Sequence, residues 1–496
     1  MEKSMACCEM TRPHVAMYPA VGMGHLMPFL ELAKKLVSLH GFAVTLITTT
    51  WSVTPLQAAY VEAALTINSH AIRQLVLPEI CVGEDIANGS GQYFQAHIEK
   101  SMGVLEEKLR MLQEPNQPFC PVCALITDLF HMSSLDVTGR LGIPNYIFVT
   151  SSAAFLSFMF YMPQLARTLE GNENGNGDLI HYLPGVQRGL READLPSLLH
   201  ESSFFKWFLG LCSRLHELKG ILLNTFHDLE PHTVNALLSG NVLESGHTPL
   251  IYVIGPVVRS SDVFDPKAVD SEEQVKRLTT WLDKQPDSSV VYVSFGSWGL
   301  LSEEQIREIA TGLERSAQRF LWVLRGALPK SGPTSGRVSL SVMEVELNSI
   351  LPEGFESRVQ DRGLVIPSWA PQVGILSHPS VGGFVSHCGW NSTLEGIWHG
   401  VPIIAWPLYA EQRMNCVFIV NEWRIGLEVK MGPDGIVGQE EFQSVVKEVM
   451  EGEAGRMVRK NIKDLGAKAR NALAHKEGSS FNSLEAALRD LVEASG

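Results

Sequence analysis

Charge is scarce in this chain of 496 residues: Asp, Glu, Lys and Arg make up 19%, against 45% hydrophobic residues. That balance suits a globular protein with ample core, and the length argues for two or more domains. Basic residues are outnumbered, 40 Lys and Arg to 54 Asp and Glu, for a net charge of −14. With no domain-sized basic patch, nucleic acid is excluded as an expected partner. The acidic excess favours solubility. Eight cysteines fall at irregular spacing, at 7, 8, 81, 120, 123, 212, 388 and 416. They read as reduced thiols of a cytoplasmic protein. Cys120-Pro-Val-Cys123 is a lone pair with no second ligand pair to complete a zinc site. The start, MEKSMACCEMTRPHV, lacks the apolar core of a secretory leader. The uncharged run from Gly142 to Ala166 is long enough to span a bilayer, but Pro144, Asn145, Ser151, Ser152, Ser157, Pro163 and Gln164 interrupt it. It reads as a buried strand, YIFVTS, leading into a buried helix, AAFLSFMFYM. No membrane span, no C-terminal anchor and no short-period repeat are expected, and the chain is expected to be a monomer.

What is present is a series of strand–helix units. His14 to Ala20 reads as a strand, Val21-Gly22-Met23-Gly24 as a turn, and His25 to His40 as an amphipathic helix with Pro28 in its first turn. AVTLITT (43–49), ALITDLF (124–130) and IPNYIFV (143–149) supply further strands. GNENGNGD (171–178) reads as a surface loop, and the Ser/Gly/Pro-rich segment from about 240 to 275, which includes IYVIGPVV, as an interdomain linker. A second series follows: SVVYVSFGS (289–297), a helix opened by Ser302 and Gln305 as a capping box, FLWVLR (320–325), a loop over 327–345, GLVIPSW (363–369) and GGFVSH (382–387). Two Rossmann-like halves are the simplest architecture.

The stretch from Trp369 to Gln412, WAPQVGILSHPSVGGFVSHCGWNSTLEGIWHGVPIIAWPLYAEQ, combines a flat aromatic, a helix start and a polar end. A helix beginning near Asn391-Ser392, capped by one of them, leaves backbone N–H groups and the positive end of the dipole facing outward, an anion site. His387 stands at the carboxyl end of its strand, the ligand side of an open α/β sheet, where it can donate to a phosphate. The helix should end at Gly400, with His399 as a cation at its negative end. Cys388 reads as packing. The whole suits a nucleotide sugar.

Near the N-terminus, His25 lies at a helix start, where the dipole disfavours imidazolium and keeps the ring able to accept a proton. Asp128 ends the strand ALITD, and parallel strands bring their carboxyl ends to one edge, so Asp128 is the natural partner to orient His25. His25 is the candidate general base and Asp128 its orienting acid. Thr150 or Ser151, after the next strand, could reach the sugar or phosphate. His131 is expected to line the acceptor region. Phe155, Phe158, Phe204, Phe205, Trp207 and Phe208 offer aromatic surface over 150–210, suited to a flat phenolic.

The 369–412 stretch, together with PAVGMGHLMPFLELAKKL around His25 and ALITDLF around Asp128, resembles the plant secondary-product UDP-glycosyltransferases, from His14 to about Glu493. The resemblance implies a GT-B fold: α/β, two Rossmann-like domains facing across a cleft. It implies an acceptor domain over 1–245, a UDP-sugar domain over 246–478, and a helix over 479–496 returning to the first. It implies that Trp369 stacks on uracil, Gln372 helps hold the ribose region and Glu395 accepts from the ribose hydroxyls. Ala370 belongs with this donor-binding set. His387, Asn391 and Ser392 fall on the diphosphate, with Ser297 as a phosphate neighbour. Trp390 reaches phosphate and sugar through its backbone, and Glu411 and Gln412 bind sugar hydroxyls. Gln at the last position favours UDP-glucose as co-substrate.

The expected activity is inverting transfer of glucose to a small phenolic or flavonoid acceptor, forming an O-glucoside. The chain has no Asp-x-Asp to hold a metal on the diphosphate, so no metal and no cofactor are expected. Three alternatives remain. The turn PAVGMGHLMPFL also resembles that of flavonoid C-glucosyltransferases, which bond sugar to a ring carbon ortho to a phenol. A non-catalytic nucleotide-sugar-binding protein would lack the base or its acid, and both are present. A nicotinamide or flavin enzyme is disfavoured because Met27 occupies the third Gly of a GxGxxG and no acid follows in 41–50.

Overall fold

The computed structural model describes residues 12–51, 53–82, 91–115, 117–171, 180–197, 202–240, 242, 248–259, 272–328, 335–337 and 350–494. The expected loop over 171–178, apart from Gly171, and much of the segments 240–275 and 327–345 lie outside them. The chain divides into two compact units: residues 1–192, 198–257 and 471–496 form one, residues 193–197 and 258–470 the other.

The first unit holds seven parallel strands: β1 (His14–Tyr18), β2 (Ala43–Thr49), β3 (Ile72–Leu77), β4 (Val122–Asp128), β5 (Asn145–Val149), β6 (Gly220–Leu223) and β7 (Leu250–Val253), in the order β3-β2-β1-β4-β5-β6-β7. β1, β4, β5 and β6 are buried along their whole length, as strands covered on both faces must be. The uncharged run at 142–166 resolves into β5 and the start of helix Ala153–Gly171. β7 takes up the start of IYVIGPVV, inside the stretch read as linker. Its register on β6, Gly220 opposite Leu250 through Leu223 opposite Val253, makes it the sheet's last strand. The packing changes units at 257/258, within the 240–275 stretch read as linker.

The second unit repeats the plan: β8 (Val290–Ser294), β9 (Arg319–Leu324), β10 (Gly363–Pro367), β11 (Val381–Ser386), β12 (Ile403–Ala405) and β13 (Gly426–Glu428), in the order β10-β9-β8-β11-β12-β13. Every pair in it is parallel. In both sheets the winding direction reverses beside the first strand, between β1 and β4 and between β8 and β11. That is where an α/β sheet opens a crevice at its strands' carboxyl ends.

Local signals are partly overruled by packing. Ser302 caps its helix by accepting from the Gln305 N–H at 3.1 Å. The Gln305 side chain does not close a capping box. It is buried and exchanges two hydrogen bonds with the Val437 backbone, at 2.9 and 2.8 Å. A full capping box occurs instead at Thr54 and Gln57. The first long helix spans Met23–His40, so Pro28 lies inside it, past the first turn.

Helix Ser479–Glu493 packs within the first unit, against β7 and β4. Tyr146, fully buried in β5, donates to Asp490 Oδ2 at 2.6 Å, and His40 meets Glu485 at 2.9 Å. Tyr146→Phe should lower stability by about 1–2 kcal/mol, since it removes a hydrogen bond to a charged acceptor. Thermal unfolding of the variant checks this, and an unchanged midpoint would show that this hydrogen bond adds no net stability.

Candidate functional site

The turn after β1 depends on Gly22, whose φ of +107° is a conformation that residues with a Cβ avoid. It delivers His25 into the first turn of helix Met23–His40, which no side chain caps. Asp128 is the last residue of β4 and is fully buried. Its Oδ1 accepts from the Phe130 N–H at 3.2 Å and its Oδ2 stands 2.7 Å from His25 Nδ1. A carboxylate can only accept, so Nδ1 carries the proton and Nε2 is left as a proton acceptor. The His25 side chain keeps 26% exposure, enough to meet a ligand. Thr150 Oγ1 lies 3.4 Å from His25 Nδ1, whereas Ser151 Oγ is buried with no partner among the described residues.

An aromatic wall begins at this pair. Phe130 sets its ring edge-on to His25 at 5.6 Å and stacks on Trp207 at 5.9 Å. Phe94 joins Phe130 at 5.2 Å and Trp51 at 5.8 Å. Phe204 packs on Trp207 at 5.3 Å. Phe158 and Phe208 are wholly buried and serve the core. His131 does not line this wall. It is buried and stacked on Tyr18 at 3.9 Å, and burial lowers its pKa to about 4, so it is a neutral core residue. Phe94, Phe130 and Trp51 escaped sequence reasoning because their share in the wall comes from three separate connections.

In the second unit the glycine turn after β8 and the end of β11 close on one ring. His387 lies between Gly296 and Gly389. A Cβ on Gly296 would stand 2.5 Å from His387 Cε1, and one on Gly389 would come closer still. Gly296 also has φ +74°. The ring is buried, its Nδ1 has no partner among the described residues, and burial lowers its pKa to about 4. It is therefore a neutral imidazole at pH 7. Ser297 follows in the same turn and is half-buried.

The helix expected near Asn391 runs Trp390–His399 with Gly389 as its cap and no side-chain cap bond. The positive end of its dipole is therefore not met by a capping side chain. Ser392 is engaged elsewhere: Gln372 Nε2 donates to Ser392 Oγ at 2.9 Å and to Glu395 Oε2 at 2.6 Å. Tyr292 OH donates to Gln372 Oε1 at 3.4 Å, fixing which end of the amide faces Glu395. Trp369 is half-buried behind Ser368, whose φ is +64°, and Ala370 is buried. Trp390 packs on Trp423 at 6.0 Å, and Asn391 is half-buried. At the far end, Gln412 is buried and its Oε1 accepts from the Leu408 and Tyr409 N–H groups at 2.9 and 3.0 Å. Glu411, half-buried, precedes it.

His399 is not the cation expected at the helix end. Burial lowers its pKa to about 4, and Arg470 Nη1 donates to the Trp398 carbonyl at 2.7 Å instead. Cys388 is fully buried at φ +64°, its carbonyl held by Asn415 Nδ2 at 3.0 Å. No helix among the described residues is long and apolar enough to cross a membrane. The structure thus gathers His25 with Asp128 in one unit, and in the other Gln372 with Ser392 and Glu395, and His387 with the Gly296 turn.

A family model described as UDP-glucoronosyl and UDP-glucosyl transferase matches residues 260–467. UDP-glycosyltransferase 72B1 of Arabidopsis thaliana is 38% identical, over 92% of each chain. Hydroquinone glucosyltransferase of Rauvolfia serpentina is 37% identical, over 95% of this chain and 96% of that one. Among solved structures, Phytolacca americana UGT2 complexed with UDP-2fluoro-glucose and pterostilbene matches with a TM-score of 0.81 and 35% identity, over 97% of this chain and 99% of that one. Likeness of this extent carries the GT-B class for the two α/β units and the transferase activity together, and the chain belongs to the plant secondary-product UDP-glycosyltransferases.

Proposed function

We propose that the protein is an inverting, UDP-glucose-dependent glucosyltransferase that forms O-glucosides of a small phenolic or flavonoid acceptor. The observation that carries the mechanism is the 2.7 Å contact between His25 Nδ1 and Asp128 Oδ2. His25 Nε2 takes the acceptor's hydroxyl proton as that oxygen attacks the sugar C1. Asp128, buried and already accepting from a backbone N–H, stabilises the imidazolium that forms. UDP leaves from the opposite face of C1, so the product is the β-glucoside. The aromatic wall beside His25 supports a flat acceptor.

For the donor, Trp369 and Ala370 meet the uracil, and Gln372 and Glu395 meet the ribose. Charge developing on UDP is met by the N-terminus of helix Trp390–His399 through Trp390 and Asn391, and by Ser297, Ser392 and the neutral His387. No metal enters this scheme. Glu411 and Gln412 hold the hexose. Because the Gln412 carbonyl oxygen already accepts two backbone N–H groups, its Nε2 is the end that meets a sugar oxygen. The supporting comparison is that one solved relative is a complex with UDP-2fluoro-glucose and pterostilbene.

His25→Ala should lower transfer by at least about 10²-fold, the range of general-base catalysis, with UDP binding unchanged. Asp128→Asn should lower it by a comparable factor through loss of the oriented tautomer. Normal transfer in either variant would remove the base assignment. In competition, UDP-glucose should outpace UDP-galactose, and EDTA should leave the rate unchanged. A preference for galactose would overturn the role of Gln412, and a metal-restored loss in EDTA the metal-free scheme. Mass spectrometry before and after hot acid distinguishes the bond made: an O-glucoside loses its hexose, and an adduct that survives would mean transfer to carbon.

A further inference from the structure

Residues 193–197 belong to the second compact unit, although the chain on both sides of them belongs to the first. Within that unit they grip the turn that leads into helix Gln412–Val417, whose N-cap is Glu411. The Ser197 N–H donates to the Ala410 carbonyl at 3.0 Å. Asp194, only 5% exposed, sets Oδ1 3.8 Å from Arg413 Nε. Arg413 in turn donates through Nη1 to Glu428 Oε1 at 2.6 Å, at the end of β13. The two grips fall on the residue before Glu411 and the residue after Gln412.

The loop needs such anchoring. Ala410 has φ +54°, a left-handed conformation that a Cβ disfavours. From inside, the loop is tied by the Gln412 side chain to the Leu408 and Tyr409 N–H groups. From outside it is tied at Ala410 and Arg413. The Asp194–Arg413 ion pair ties the strap to the residue after Gln412, and Glu428 holds the same guanidinium from the other side.

We propose that the 193–197 strap, through Asp194 and the Ser197 N–H, is a positioning element that sets where Glu411 and Gln412 stand against the donor's hexose, and so helps decide which UDP-hexose is accepted. It acts through those two residues. It rests on the reading that Glu411 and Gln412 hold the hexose.

The test titrates UDP, UDP-glucose and UDP-galactose separately into the full-length protein and its variants. Asp194→Ala should weaken UDP-glucose by about tenfold, within the range expected for a small misplacement of binding groups. It should narrow the discrimination between the two hexoses and leave UDP within about twofold of the unaltered protein. Asp194→Glu, which keeps the charge, should restore most of the UDP-glucose affinity. A merely structural strap would weaken UDP and both UDP-hexoses in parallel, and that result would overturn the proposal. So would Asp194→Ala with unchanged UDP-glucose affinity while Gln412→Ala weakens it, an outcome that leaves the hexose reading standing. If Gln412→Ala also leaves both UDP-hexoses unmoved, the hexose reading fails, and the strap proposal with it.

Discussion

The constraint on which both sites depend is the reversal of winding in each parallel sheet. Strands in β3-β2-β1 order run outward on one side, and β4 starts the series on the other. The connections leaving β1 and β4 therefore diverge, and their carboxyl ends border a crevice. Tyr18 is in register with Thr127, which brings the segment carrying His25 beside Asp128. The second sheet obeys the same rule. Ser294 is in register with Ser386, and the residues that follow are the glycine turn and His387. One geometric rule applied twice produces a histidine–carboxylate pair in one unit and a glycine-lined histidine in the other.

The two histidines at these crevices are managed in opposite ways. His25 is partly exposed and keeps a buried carboxylate on one nitrogen, which leaves the other as a proton acceptor. His387 sits between two glycines with no carboxylate beside it among the described residues, and burial keeps it neutral. The first suits a group that accepts and releases a proton. The second suits a fixed donor that adds no permanent charge to the site before an anionic ligand arrives. His131 and His399, also neutralised by burial, show that a lowered histidine pKa alone does not mark a site in this molecule.

The glycosyltransferase class was legible because its signals are local and dense. Apolar strand segments and the glycine turn before His25 carry their meaning within one strand–turn–helix unit, and the 369–412 stretch carries its own in an unbroken run of 44 residues. Readings failed where a side chain had a choice of partners. Gln305 could have closed a capping box and went to the Val437 backbone. Ser392 could have capped its helix and pairs with Gln372. IYVIGPVV looked like a linker because an edge strand next to Gly and Pro has linker composition, and only its pairing with β6 reveals it.

By itself the sequence determined the α/β series, the presence of His25 and Asp128 at strand–turn–helix junctions, and the order of groups along the 369–412 stretch. These follow from residue spacing on a parallel strand and the helix after it. Tertiary structure alone decided that His25 and Asp128, 103 residues apart, meet at 2.7 Å. It alone decided that His387 sits in a slot only glycines can border, and that five residues from the N-terminal half join the unit of Glu411 and Gln412. Those outcomes depend on strand order, register and close packing between distant segments, and no window along the chain contains both partners.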